Sequence, residues 1–157
     1  MVVAPLMLAA MEAFILDLGY PGLFALGFLA ATILPLGSEW LLAALLLEGA
    51  DPAICVSVAT AGNSLGALTT YAIGVWGGPW LIERVLRIDP VRRARAEQTY
   101  ARYGIWSLLF SWLPIIGDPL CLVGGLMRVQ LPRYVILVTI GKYVRYQAVA
   151  LLVLTAA

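Results

Sequence analysis

The chain is 157 residues long, 62% hydrophobic and only 12% charged, with a net charge of +1, no His and a mean hydropathy of +0.95. Soluble domains carry about 25% charged residues, so this composition excludes an ordinary soluble fold and specifies an integral membrane protein. Pro52 to Ile82 is 31 residues without a charge, where a membrane-spanning helix needs about 20. The few basic residues are not arrayed with stacking aromatics, which argues against nucleic-acid binding.

Residues 1–20 form an apolar segment interrupted by Glu12 and Asp17, the length of an interfacial helix and short for a span. It lacks a basic leader and a small-residue cleavage site, so a cleaved signal peptide is not expected. Tyr20-Pro21-Gly22 then breaks the chain.

Residues 22–47 read as one apolar stretch until Pro35, Gly37 and Glu39 are noticed near its middle. Proline removes a backbone donor from a helix, and a carboxylate in hydrocarbon is costly. The stretch therefore divides into two half-helices of roughly 20 and 18 Å, each short of a hydrocarbon core of about 30 Å. A transmembrane helix over 52–78 follows. It carries small residues at Gly62, Gly66, Thr70 and Gly74, the spacing of a helix-packing seam.

Six of the ten basic residues (Arg84, Arg87, Arg92, Arg93, Arg95 and Arg102) lie in 79–103. Cytoplasmic loops are enriched in Lys and Arg, so this segment is placed inside. Trp80, Leu81, Val85 and Leu86 alternate with its arginines at helical spacing, as in an amphipathic helix on the membrane surface. Those arginines either fix topology or dock a substrate.

The first half is then repeated 79 positions on. Leu34-Pro35-Leu36-Gly37-Ser38-Glu39 is matched by Leu113-Pro114-Ile115-Ile116-Gly117-Asp118, and Gly62-Asn63 by Gly141-Lys142. Residues 104–127 again divide at a proline, and 132–154 again form a span. Re-entry of 104–127 keeps Arg128 and Arg133 inside with the other basic residues, whereas a crossing would place them outside. The expected fold is thus all-α: an inverted repeat, 21–78 and 104–157, of a re-entrant hairpin plus a transmembrane helix.

Glu39 and Asp118 each follow their proline by four residues, at a break where unwound backbone is tolerated only in protein or beside a wet cavity. Both are expected near the midplane, where a carboxylate suits proton exchange. Lys142 is ten residues past Pro132, about 15 Å of helix, and Arg145 shares roughly its face, with Tyr143 and Tyr146 alongside. These two acids and two bases, with Asn63, are the candidate site for a proton, an ion or a headgroup. The competing reading is a structural ion network that holds the fold together. Pro35, Gly37, Pro114 and Gly117 are the hairpin breaks; Gly62, Gly66, Gly74 and Gly141 are packing positions. No cofactor or metal pattern is present, and Cys55 and Cys121 read as buried thiols.

These motifs together, with Ser-Trp-Leu-Pro-Ile-Ile-Gly-Asp at 111–118 and Gly-Lys-Tyr-Val-Arg-Tyr at 141–146, resemble the DedA family. It is also described as the VTT or SNARE-associated membrane domain, and the likeness is strongest to its YqaA-like branch. The resemblance covers about residues 22–152 and implies a bacterial inner-membrane protein with two re-entrant hairpins. It further implies proton-dependent transport, recycling of undecaprenyl phosphate or lipid scrambling. Many relatives carry Arg three before and three after the second proline; here those positions are Ser111 and Gly117, so a phosphate clamp at those positions is not expected.

The function expected is a transporter or lipid translocase acting on membrane lipids, a lipid phosphate or a small ion. The alternative is a membrane-organising or assembly protein. An intramembrane aspartyl hydrolase would need its two carboxylates at close range in one site, and no protease pattern flanks them, so an enzyme is not expected.

Overall fold

The computed structural model describes residues 19–32, 37–80, 104–113 and 117–156. The segment 1–18, Pro35, Pro114 and the basic stretch 81–103 lie outside the described residues. Among the described residues all regular structure is helical: α1 (Gly19–Ala30), α2 (Glu39–Leu47), α3 (Pro52–Trp80), a 3-10 helix (Gly104–Trp112), α4 (Gly117–Leu126) and α5 (Leu131–Ala156). Two stretches, Pro52–Gly77 and Leu131–Ala156, are long and apolar enough to cross a membrane, each about 39 Å at helical rise.

Local chemistry sets the ends of these helices. At the end of α1, the Ala31 and Thr32 amides bond to Phe28 and Leu29 carbonyls at 3.2 and 3.1 Å, while the Thr32 hydroxyl also donates to Phe28 O. Carbonyls that lack a helical partner are thereby satisfied. After α2, the Gly49 amide donates to Leu46 O at 3.1 Å and the Ala50 amide to Leu45 O at 3.0 Å, with Gly49 at φ +89°. This is a Schellman turn, which requires a left-handed residue at that position. Asp51 then starts α3, its carboxylate accepting from the Ala53 and Ile54 amides at 2.8 and 3.1 Å, with Pro52 as the first helical residue.

The second half repeats these bonds in register. The Arg128 amide donates to Gly125 O at 2.9 Å and the Val129 amide to Gly124 O at 3.0 Å, 79 positions after Gly49 and Ala50. The first-turn bonds Cys55 N to Asp51 O and Tyr134 N to Gln130 O, both 3.0 Å, correspond at the same offset.

Packing follows the same plan. The first short helix of each half, α1 or the 3-10 helix, packs on the long helix of its own half; the second, α2 or α4, packs on the long helix of the other. The long helices α3 and α5 also touch each other. One buried cluster joins Leu23, Leu41, Leu42, Cys55, Ala59 and Tyr146; the other joins Ala67, Leu108, Cys121, Tyr134 and Val138. The start of α3 thus meets the end of α5, and the end of α3 meets the start of α5, so the two run antiparallel.

Small residues allow these approaches. A Cβ on Gly62 would collide with the Phe24 carbonyl, and one on Gly141 would lie 2.8 Å from Leu109 O. Gly66 faces Phe28, Gly74 faces Leu122, and the Thr70 hydroxyl donates to Ala31 O at 3.0 Å. The stripe from Gly62 to Thr70 is where α1 crosses α3, and Gly74 is where α4 does.

One difference from the sequence reading is conformational. Residues 104–112 form a 3-10 helix, whose rise of about 2 Å per residue makes the segment longer and narrower than an α-helix. The helices also run a little beyond the expected 52–78 and 132–154, to Trp80 at one end and over 131–156 at the other.

Candidate functional site

The site is built where the second short helix of each half meets the middle of α3 and α5. Ser38, next to the start of α2, would ordinarily use its hydroxyl to cap that helix. It makes no such cap; instead its Oγ lies 2.6 Å from the Tyr146 hydroxyl. Tyr146 also accepts a hydrogen bond from Asn63 Nδ2 at 2.9 Å. The other end of that amide, Asn63 Oδ1, accepts from Lys142 Nζ in a close contact. Lys142 in turn stands 3.7 Å from the Asp118 carboxylate. A polar chain therefore runs Ser38, Tyr146, Asn63, Lys142, Asp118, joining the break in one half to the break in the other.

Burial makes this chain consequential. Ser38, Asn63, Lys142 and Tyr146 are 2%, 5%, 2% and 1% exposed. An unpartnered polar group so placed costs about 1–3 kcal/mol, and a charge more, so each member depends on its neighbour. Asn63 and Lys142 are themselves 79 positions apart. A residue that bonds its own counterpart lies where the two halves meet.

Beside this chain is a second ion pair. Glu39, the first residue of α2, is in direct contact with Arg145, whose guanidinium also donates to the Trp112 carbonyl at 3.1 Å. The two acids and two bases are thus gathered, but the acids do not share a position: Glu39 pairs with Arg145 and Asp118 with Lys142. Formal charge balances within the site. Tyr143 is exposed and accepts from Gln147 at 2.8 Å, outside the buried chain.

The remaining candidates fall around these pairs. Gly37 is exposed and lies against the Glu39 carboxylate, while Gly117 packs on the Ser111 backbone carbonyl. Ser111 is 1% exposed, and its hydroxyl has no hydrogen-bond partner among the described residues. The site opens on a groove of about 600 Å³ lined by Gly37, Glu39, Arg145, Trp112, Val149 and Leu152. Its wall is apolar except at the Glu39–Arg145 end.

Sequence reasoning placed Tyr146 only beside the cations and gave Ser38 no role. Tyr146 follows Lys142 by four residues and so shares its helix face, which was the available signal. Ser38 gave none beyond its place before Glu39.

Helices alone among the described residues, two of them apolar and of spanning length, around a buried charged centre define a polytopic membrane protein with a polar chain inside an otherwise apolar core. The chain belongs to the VTT-domain family: the family model matches residues 25–154. It is 42% identical over 134 residues to the inner membrane protein YqaA of Escherichia coli, covering 82% of this chain and 86% of that one. An uncharacterized protein of Haemophilus influenzae is 39% identical over 140 residues, covering 83% and 84%. One from Methanocaldococcus jannaschii is 26% identical over 136 residues, covering 86% and 84%. No solved structure matches the chain. It is a bacterial inner-membrane protein of the DedA/VTT family, similar to YqaA.

Proposed function

We propose that this protein is a lipid translocase of the inner membrane, built as an inverted repeat of a re-entrant hairpin and a transmembrane helix. The observation that carries the reading is the Glu39–Arg145 pair at the end of an apolar groove. An apolar wall with a charged end matches a molecule with an acyl chain and a polar headgroup, and pockets of a few hundred Å³ suit such ligands. Ionisable groups in a membrane interior mark substrate and ion pathways.

The repeat is supported by the matching Schellman turns at Gly49 and Arg128 and by the exchanged packing of α2 and α4. With the basic segment 84–102 in the cytoplasm, both hairpins enter and return from their own sides. Two halves of opposite orientation around a fixed site supply the two arrangements that alternating access requires.

The test is reconstitution in liposomes carrying a fluorescent phospholipid, with a membrane-impermeant quencher added outside. Wild-type protein is expected to expose inner-leaflet lipid to the quencher, and Glu39→Gln to slow that exposure. Equal rates in protein-free vesicles would reject translocation of that lipid. One feature favours the alternative, a membrane-organising protein: Arg145 and Lys142 both have protein partners, as a structural network does. The two readings separate in the same assay, since a membrane-organising protein would leave lipid exposure at the protein-free rate and Glu39→Gln would then cost stability alone.

A further inference from the structure

We infer that Arg145 is a positioning residue that keeps the apolar groove open, its side chain standing where the first short helix of the second half would otherwise pack against α5. The inference rests on the reading above for what the groove takes up, a lipid. The wedge itself is identified by a break in the repeat.

In the first half, α1 lies along α3 with the two backbones in contact. Gly62 meets the Phe24 carbonyl, Gly66 meets the Phe28 carbonyl, and the Thr70 hydroxyl donates to Ala31 O at 3.0 Å. At the offset of 79, the matching positions on α5 are Gly141, Arg145 and Val149. Gly141 meets the Leu109 carbonyl and the Ser111 hydroxyl. Leu109 is six residues beyond the counterpart of Phe24. The 3-10 helix therefore sits further back along α5 than α1 does along α3, by about 9 Å at helical rise, and it ends at Trp112. Past that end, Val144, Arg145, Ala148, Val149 and Leu152 of α5 line the groove. The groove is thus the strip of long helix whose counterpart in the first half is covered by α1.

The second short helices do not share this displacement. The Tyr71 backbone meets Gly125, and their counterparts Ala150 and Leu46 belong to one buried cluster, so α4 and α2 keep register. The turns that follow them match as well. Arg145 accounts for what differs. The close approach of α1 needs glycine at position 66, where a Cβ would collide with the Phe28 carbonyl. A helix cannot cross an arginine in that way. The guanidinium of Arg145 lies at the end of the 3-10 helix, donating to the Trp112 carbonyl at 3.1 Å, and is tied on its other side to Glu39. A cation is favoured at a helix C-terminus, where carbonyls lack helical partners. Arg145 thus blocks the path of the 3-10 helix and holds its end.

The experiment uses the full chain in phospholipid nanodiscs, in a background lacking Cys55 and Cys121, with spin labels on Trp106→Cys and Leu154→Cys, both exposed positions. Pulsed electron paramagnetic resonance then reads the distance from the 3-10 helix to the end of α5. Arg145→Gly, which copies the residue at position 66, is expected to shorten that distance by about 9 Å. Arg145→Met, which keeps the length of the side chain without its charge, is expected to leave the wild-type distance. No shortening in folded Arg145→Gly overturns the wedge. Equal shortening in Arg145→Met assigns the hold to the ion pair and overturns it too. So does a wild type that populates both distances, because the helix then passes Arg145; that measurement stands if Arg145→Gly fails to fold, and Arg145→Ala is then the small variant. A shortened distance in Arg145→Gly with no lipid movement by the wild type keeps the wedge and loses the translocase reading; wild-type lipid movement with an unshifted Arg145→Gly does the reverse.

Discussion

Gly49 and Arg128 occupy the same place in the same helix-ending turn, 79 residues apart, and both have positive φ, +89° and +49°. Glycine is at ease there. Arginine is not, because its Cβ crowds the following carbonyl in left-handed backbone. One half thus carries strain at a point where the other has relieved it.

Arg128→Gly is accordingly expected to stabilise the protein by about 1 kcal/mol, and Gly49→Ala to destabilise it by a similar amount. Thermal unfolding in one detergent, read as the midpoint shift of each variant, checks both signs. A lower midpoint for Arg128→Gly would show that the side chain holds the turn through contacts stronger than the backbone cost.

Single cysteines at positions 48 and 133, in a background lacking Cys55 and Cys121, are expected to react with an impermeant thiol reagent from opposite faces. Both positions are exposed next to helix ends. Glu48 follows α2 in a linker without basic residues, whereas Arg133 lies with the basic residues that favour the cytoplasm. Labelling from one common face would reject the re-entrant reading of one hairpin.

The membrane class and the offset of 79 were legible because prolines and carboxylates are rare in apolar sequence, so two at matched spacing stand out. The partners of Glu39 and Asp118 were not legible. Lys142 and Arg145 are one turn apart on α5, and only the packing of α2 and α4 on opposite long helices assigns one acid to each. Residues 104–112 read as α-helix because Gly-Ile-Trp-Ser-Leu-Leu-Phe-Ser-Trp has no feature that selects a 3-10 turn. The buried roles of Ser38 and Tyr146 depend on a contact across 108 residues, which no local pattern carries.

Tyr146→Phe keeps the ring in its cluster and removes one hydroxyl that serves both Ser38 and Asn63. Two buried polar groups lose a partner, so a cost of about 2 kcal/mol is expected, larger than for Ser38→Ala. The double variant should cost less than the sum of the singles, by about 1 kcal/mol, because both remove one bond. Full additivity would place the Ser38–Tyr146 contact outside the energetics of folding.

The last prediction concerns anionic lipid, because the arginines expected to clamp a phosphate in many relatives are replaced here by Ser111 and Gly117. Gly117 packs on the Ser111 carbonyl, so the hairpin itself fills that space. Arg145 lines the groove, whereas Lys142 is 2% exposed and held by Asn63. An anionic headgroup in the groove must share Arg145 with Glu39. Arg145→Met is therefore expected to weaken binding of a labelled polyprenyl phosphate by about 2 kcal/mol, roughly thirtyfold. Glu39→Gln should strengthen it by freeing the guanidinium, and Ser111→Ala should leave it unchanged. The measurement is equilibrium binding to purified protein in nanodiscs, with an uncharged polyprenol as the comparison ligand. Equal affinity of wild type and Arg145→Met would exclude the groove as an anion site. Weaker binding in Glu39→Gln would mean that the carboxylate contacts the ligand itself, as it would a headgroup that carries a cation.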